Sequence, residues 1–584
     1  MDRREMAEAA RAWIERAAPP DMAAPLGASV ADWECGTLPP SALWRHLSRR
    51  FASVGLLDPA REAGRHAMAE APDEPLLCAE QARLELAAGA DETARALAEA
   101  IPATHASYFD ALLVLGELSP EPDPDLAAEI TAFLLARPHW AEEHDQGLGL
   151  LRRWGGSESA MATGFLVAWM KAHGLAPAPL TQLAQILLEA GAYQQAGPIL
   201  DNLWRSSAEE LAPLIGPAAA SFPEDPEADA ELCRRVRAAL ALPEEELALH
   251  PLPTASGELP ERVLYVGPAM TGVSPSFPND LAEHLGKAAM AAGRVLELYS
   301  DAAVTGPSRM RISDEARARR IDALADHLRT HRPQVMILDC GWSPKRGDLD
   351  PQTLARIKAE TGLRLLCLFR DAQAPSLSLI RHWATAADGI VLFDPLSPVF
   401  EAGNADLAAK TLIIPVPAAP LPETQQPPRH GLTFIGGLGQ IHRPILIGGL
   451  LTAGIDFTAV IGEMRRRRAP DLESYAALLA DSRAVLNIAV HHQDQRLITG
   501  RIWETIAAGG LLLEQAGSGI TTFFTPYRHY LPWGGIADIV QACRFLERHD
   551  DLRRAMIASA RDWSARHYAP DKVWQALMSL ANPA

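Results

Sequence analysis

From Arg262 onward the chain alternates short apolar, β-branched runs with stretches of helical periodicity, and this alternation restricts its fold more than any other feature. The first runs are RVLYVGP, RVLELYS, PQVMILDCG, LRLLCLFRD, GIVLFDP and TLIIPVP. After a Pro-rich interruption, PAAPLPETQQPPRHG, come LTFIGGLG, FTAVIGE, AVLNIAV, GLLLEQ and YLPW. Strand-helix-strand order implies parallel sheets covered by helices on both faces, because parallel neighbours need a crossover connection. The pattern predicts two doubly wound α/β domains, residues 258–425 and 430–584, joined by a short hinge. Their carboxyl strand ends would face one another across a cleft.

Residues 1–250 obey a different grammar: they are rich in Ala, Leu, Glu and Arg, with helical periodicity and regular Pro or Gly punctuation. The segments SVGLLDPAREA, AAGADETARAL and EAGAYQQAGPI place Gly55, Gly89 and Gly191 in register, each followed five residues later by Ala60, Ala94 and Ala196. The glycines are separated by 34 and 102 residues, one and three periods of the tetratricopeptide length. Small residues let antiparallel helices approach closely, and each pair buries its apolar face against the next. A helical bundle with unrelated glycines is the other reading. Stacked pairs form a concave surface, so this half is expected to hold a protein or peptide. LPEEELALHPLPTASGELPER, between the halves, has the composition of a linker.

The net charge of −19 disfavours nucleic-acid binding, which requires a basic surface. The single basic run, Arg465 to Arg468, reads as a solvated loop. No apolar run approaches the roughly 20 residues of a membrane span. The charged, amphipathic start MDRREMAEAARAWIERAA does not resemble a signal peptide. Six scattered cysteines without a C-x-x-C pair argue against a disulfide framework or zinc site and for a reducing, cytoplasmic location.

Ligands in doubly wound sheets bind at the carboxyl ends of the strands, so candidate residues are sought there. VGPAMTGVSPSFPNDLAEHLGK leads from a strand through a Gly/Ser/Pro loop into a helix, with Asn279 and Asp280 at its start. Asp280 reads either as a cap contributing about 1 kcal/mol or as an acid-base group facing the cleft. His284 reads as an ordinary helix histidine. LFRDAQAP puts Arg370 and Asp371 just past a strand end, and Asp339 occupies a similar place. In the second domain, LTFIGGLGQIHRP combines a strand, a turn with Gly436, Gly437 and Gly439, and Arg443 shortly after. Backbone amides at such a turn can receive a phosphate, although the spacing is not the full dinucleotide fingerprint and a tight turn explains it equally.

The stretch VLNIAVHHQDQRLITGRIWETIAAGGLLLEQ holds the densest set: a strand with Asn487, a polar loop with Arg496, and a helix over about 500–508. Arg501 and Glu504 are three apart on one face of that helix, which ends on Gly509 and Gly510. They form either a weak intrahelical pair or an arginine fork for a diphosphate with a carboxylate for ribose hydroxyls. The His491-His492 pair lacks a third ligand at fixed spacing, so no metal is expected.

The motif R-x-W-E-x-x-A-x-G-G-x-L-L, with GITTFFTPYRHYLPWGGIADIVQACRFLERHDDLRRAMIASARDWSARHYAPDKVWQAL after it, resembles the C-terminal half of the CgeB-like glycosyltransferases, relatives of the group-1 enzymes. The resemblance covers about residues 260–580 and implies the two-domain GT-B fold and a nucleotide-sugar donor. It implies that Arg501, Glu504 and the following glycines line the donor site, that Gly436, Gly437, Gly439 and Arg443 form the Gly-rich turn, and that Asp371 is the strand-end aspartate. It also implies a final helix crossing back to the first domain. The chain departs from the group-1 pattern upstream of Glu504, where His-Gln-Asp-Gln-Arg replaces a second glutamate and leaves Asp494 and Arg496 as substitutes. Helical repeats ahead of such a transferase resemble bacterial repeat-containing protein O-glycosyltransferases, including those that modify flagellin. The expected function is transfer of a sugar to a protein held on the repeats, with Asp280 or Asp371 as acceptor base and no cofactor. The rival is a non-catalytic adaptor carrying a degenerate transferase fold.

Overall fold

The computed structural model describes residues 3–18, 20–53, 56–119, 121–154, 160–190, 192–206, 222–267, 280–299, 314–340, 351–370, 372, 376–421, 427–438, 442–461, 472–489 and 496–581. Gly55, Gly191, Asp371, Gly439, the run Arg465 to Arg468, His491, His492 and Asp494 lie outside them.

The first half is helical from Arg3–Ala17 to Pro226–Leu240. Several helices begin with Pro at the first position (Pro75, Pro124, Pro177, Pro226), where a missing N–H costs nothing. Asp123 and Asp225 cap two of them by accepting from backbone amides. Adjacent helices pair: Pro40–Ser53 with Leu57–Glu70, Pro75–Ala87 with Asp91–Glu99, and Pro177–Glu189 with Tyr193–Ser206. Ala60, Ala94 and Ala196 each occupy the fourth position of the second helix of a pair and are fully buried. Gly89 has φ of 76°, the left-handed conformation that a helix-ending glycine supplies.

The second half holds two parallel sheets. The first contains β1 (Arg262–Val266), β2 (Val295–Tyr299), β3 (Val335–Asp339), β4 (Arg364–Phe369), β5 (Gly389–Leu392) and β6 (Thr411–Ile413), in the order β2-β1-β3-β4-β5-β6. The second contains β7 (His430–Gly436), β8 (Phe457–Ile461), β9 (Ser482–Asn487), β10 (Leu512–Gln515) and β11 (Leu531–Trp533), in the order β11-β10-β9-β7-β8. Every pairing is parallel. The interior strands β3 and β5 are buried throughout, which is why VMIL and GIVL read as apolar runs, while β10 is as deeply buried but carries Glu514 and Gln515. Strand order reverses between β1 and β3 and again between β7 and β9, so each sheet has a switch point, and the two sheets form the expected GT-B pair. The last helix, Pro570–Ser579, crosses back: Val573, Trp574, Leu577 and Met578 share a core with Val263, Tyr265 and Leu285 of the first sheet domain.

The linker expectation needs correcting. Leu247 is buried, the Ala248 amide donates to Thr525 Oγ1 at 2.9 Å, and the His250 amide donates to the Tyr568 hydroxyl at 2.9 Å. A few leucines among polar residues suffice to bind the strap to the second sheet domain. The helical half shares a core with that domain too: a Cβ at Gly448 would lie 2.5 Å from Leu200, so glycine sets how closely the helices His442–Thr452 and Tyr193–Ser206 approach. Arg528 Nη1 donates to the carbonyls of Ala239, Leu240 and Leu242 across the same junction.

Candidate active site

The two carboxyl edges meet around a cavity of about 220 Å³. Asp280, His284 and Arg370 line it from the first sheet domain, and Arg443, Thr499, Gly500 and Glu504 from the second. Asp280, Arg443 and Glu504 are thus brought together from the sequence candidates.

Glu504 is buried on the helix Gly500–Ala508. It does not turn to Arg501 but meets His284 of the facing domain, with Nε2 to Oε1 at 3.2 Å. Burial opposes its ionisation, but the hydrogen bond and charge of His284, the charge of Arg501 and a hydrogen bond from Tyr475 outweigh it and hold the carboxyl below its ordinary range. His284 is buried, contrary to its reading as an ordinary helix histidine. No local pattern could reveal a partner 220 residues away.

Arg501 is half-buried on the same helix as Glu504, does not itself line the cavity, and donates from Nη1 to Asn487 Oδ1 at 2.9 Å. Its guanidinium lies 5.5 Å from the Phe434 ring centre and 3.2 Å from where a Cβ on Gly436 would be, so the glycine permits the approach. Arg443 Nη1 donates to the Gly437 carbonyl at 3.1 Å. Two guanidinium groups therefore flank the turn that follows β7. Behind them, Asn487 is fully buried, accepts from Thr499 Oγ1 at 3.0 Å, and donates to Glu514 Oε2 at 2.7 Å. Burial pushes the Glu514 carboxyl up to about 8, against the opposing pull of Asn487, Ser518 and Arg501. The sequence signal for Glu514 is a carboxylate at the end of the apolar run GLLLEQ, where a side chain must be buried.

On the other edge, Asp280 opens the helix Asp280–Ala291, accepts from the adjacent Leu281 amide at 2.9 Å and faces the cleft. Its side chain keeps 57% exposure, at the cavity mouth. Enclosure between the domains raises its pKa, as does the charge of Glu504, while Arg370 and His284 pull it down. Arg370 lies 3.7 Å from Asp280 and 2.8 Å from the buried Asp339, which also accepts from the Tyr265 hydroxyl at 2.6 Å.

Three candidates sit elsewhere. Gly509 ends its helix with φ of 81°, and a Cβ on Gly510 would lie 2.9 Å from the Leu479 carbonyl, so both have backbone reasons to be glycine and neither lines the cavity. Arg496 lies over Gly517, with Nη1 2.7 Å from where its Cβ would be, rather than in the cavity.

No curated protein sequence matches the chain. Among solved structures, Anabaena HepE in complex with UDP is 10% identical, with 54% of this chain and 98% of that one covered, at a TM-score of 0.35. The Thermobaculum terrenum O-GlcNAc transferase is 12% identical, with 93% and 97% covered, at 0.34. A glycosyltransferase from Rickettsia africae is 9% identical, with 55% and 97% covered, at 0.38. Residues 442–579, about a quarter of the chain and the part that carries Arg443, Asn487, Arg501 and Glu504, match the family described as glycosyl transferase-like.

Proposed function

We propose that the protein transfers a sugar from a nucleotide-sugar donor to a protein acceptor docked on the helical repeats, in the cytoplasm. One observation carries the reading: guanidinium groups of Arg443 and Arg501 flank the turn at Gly436 and Gly437, with the ionised Glu504 one helical turn beyond Arg501. That set offers charge to a departing diphosphate and an acceptor for ribose hydroxyls, without a metal. The glycosyl transferase-like match over the same residues supports it. Asp280, facing them with a raised pKa, serves as acceptor base in an inverting transfer. The cavity of about 220 Å³ is smaller than the roughly 300 Å³ of ordinary ligand clefts, so donor entry parts the edges and ribose takes the place of His284 on Glu504.

Melting curves with UDP, GDP and ADP test this. At least one nucleotide raises the melting temperature of the wild type, and Glu504→Ala abolishes that shift. No shift with any nucleotide would favour the non-catalytic adaptor instead.

A further inference from the structure

Away from the cleft, the first sheet domain gathers three metal-ligating side chains. His327 and His331 are four apart at the end of the helix Asp314–His331, hence on one face. Their rings stack with centroids 4.1 Å apart. Glu297, on the edge strand β2, reaches across, and its Oε1 is 3.0 Å from His327 Nε2. One ligand atom from each residue lies within 4.8 Å of the other two. His327 Nε2 is buried, and despite its closeness to the carboxylate it makes no well-directed hydrogen bond among the described residues. A nitrogen and a carboxylate oxygen at ion-pair distance but without a directed hydrogen bond are placed as two ligands of a shared ion would be.

The geometry points to a divalent-metal site of two imidazoles and one carboxylate, suited to Zn²⁺ or Co²⁺. That donor set fits borderline metals, and three protein ligands leave a fourth position for water. Around an ion at about 2.0–2.1 Å, tetrahedral ligand atoms stand about 3.4 Å apart. The present separations close to that with side-chain rotation of little more than an ångström, which the exposed Glu297 and His331 are free to make.

The position says what the ion does. Glu297 is the middle residue of β2 and the His331 carbonyl accepts from Arg262 at the start of β1, so the cluster stands on the outer edge of the first sheet, and none of its three residues lines the cleft cavity. The ion therefore takes no part in transfer. It clips the edge strand β2, which pairs only with β1 among the described strands, to the helix that crosses from β2 to β3. Val295 and Leu298 of that strand are exposed, so its fixing to the sheet rests on few packed side chains.

Titration of the metal-stripped full chain with Co²⁺, followed by visible absorption, tests the site. One equivalent should bind saturably and give the intense visible bands of a tetrahedral ion, and Zn²⁺ should displace it. The double variant Glu297→Gln/His331→Ala changes two exposed residues and keeps the apo melting temperature; it should weaken binding at least 100-fold, while His139→Ala should bind as the wild type does. Zn²⁺ should raise the melting temperature of the wild type and not that of the double variant. No saturable binding at micromolar Co²⁺, or binding undiminished in the double variant, would overturn the assignment.

Discussion

The two carboxyl edges that meet at the cleft hold their charges in opposite ways. On the second sheet domain, charge is embedded: Glu504 is ionised though buried, and Arg501 is fixed by Asn487, which Glu514 fixes in turn. On the first, the carboxylate that faces the cleft is exposed and balanced: Asp280 stands half in solvent, against Arg370, which it shares with the buried Asp339. A guanidinium held in a fixed frame, as Arg501 is by Asn487, needs little reorganisation when a ligand arrives, which suits tight recognition of one constant group. A solvent-reached carboxyl near a cation can lose and regain a proton, which suits an acceptor that changes with each turnover. Under the proposed transfer, the difference divides the labour: donor recognition on the second edge, acceptor activation on the first.

Breaking that division gives the largest expected effects. Asp280→Asn should lower kcat by about 10²–10⁴-fold, the usual contribution of a general base, and leave nucleotide affinity within about twofold. Equal losses of rate and affinity would show that Asp280 belongs to donor binding and would end the comparison. Arg501→Ala should lower kcat/KM by about 10²–10³-fold, the scale of one lost stabilising donor. Here calorimetry should find nucleotide affinity falling too, and a pH profile of kcat unchanged in shape, since the base is untouched. An altered profile with normal affinity would place Arg501 with the acceptor chemistry instead.

How far the sequence foretold these edges follows from the range of each interaction. The interior strands were legible, because a parallel strand covered on both faces is largely apolar along its length, as VMIL in β3 and GIVL in β5 are. The alanines at 60, 94 and 196 were legible because helix pairing repeats the same steric demand at a fixed interval. Arg501 and Glu504 were legible as a pair on one face, but not their partners. Asn487 and His284 reach them through sheet order and domain closure, which leave no local trace. Gly509 and Gly510 show the converse error: a backbone requirement, a left-handed helix end and a close carbonyl, resembles a binding motif when only the letters are seen. The linker misled for a similar reason, since composition reports average polarity while Leu247 and two backbone hydrogen bonds anchor the strap.

The smallest expected effect sharpens the embedded side of the comparison. The Glu514 carboxyl is pushed up to about 8 by burial, far above a carboxyl in an unfolded chain at about 4.3. The folded state therefore binds more protons than the unfolded state between those two values, and stability must fall as pH rises across that window. The contribution is complete below about pH 4 and lost as pH passes 8. Glu514→Gln keeps an oxygen for Asn487 Nδ2 but cannot ionise. It should match the wild type at pH 5 and exceed it by on the order of 1–3 kcal/mol at pH 9, read from denaturant midpoints. With Asn487 still held, Arg501 keeps its place, so nucleotide affinity at pH 7 should stay within about threefold. If the variant and the wild type lose stability in parallel from pH 5 to 9, Glu514 is ionised in the folded protein, and Arg501 is then held by a charge rather than by a neutral hydrogen-bonded frame.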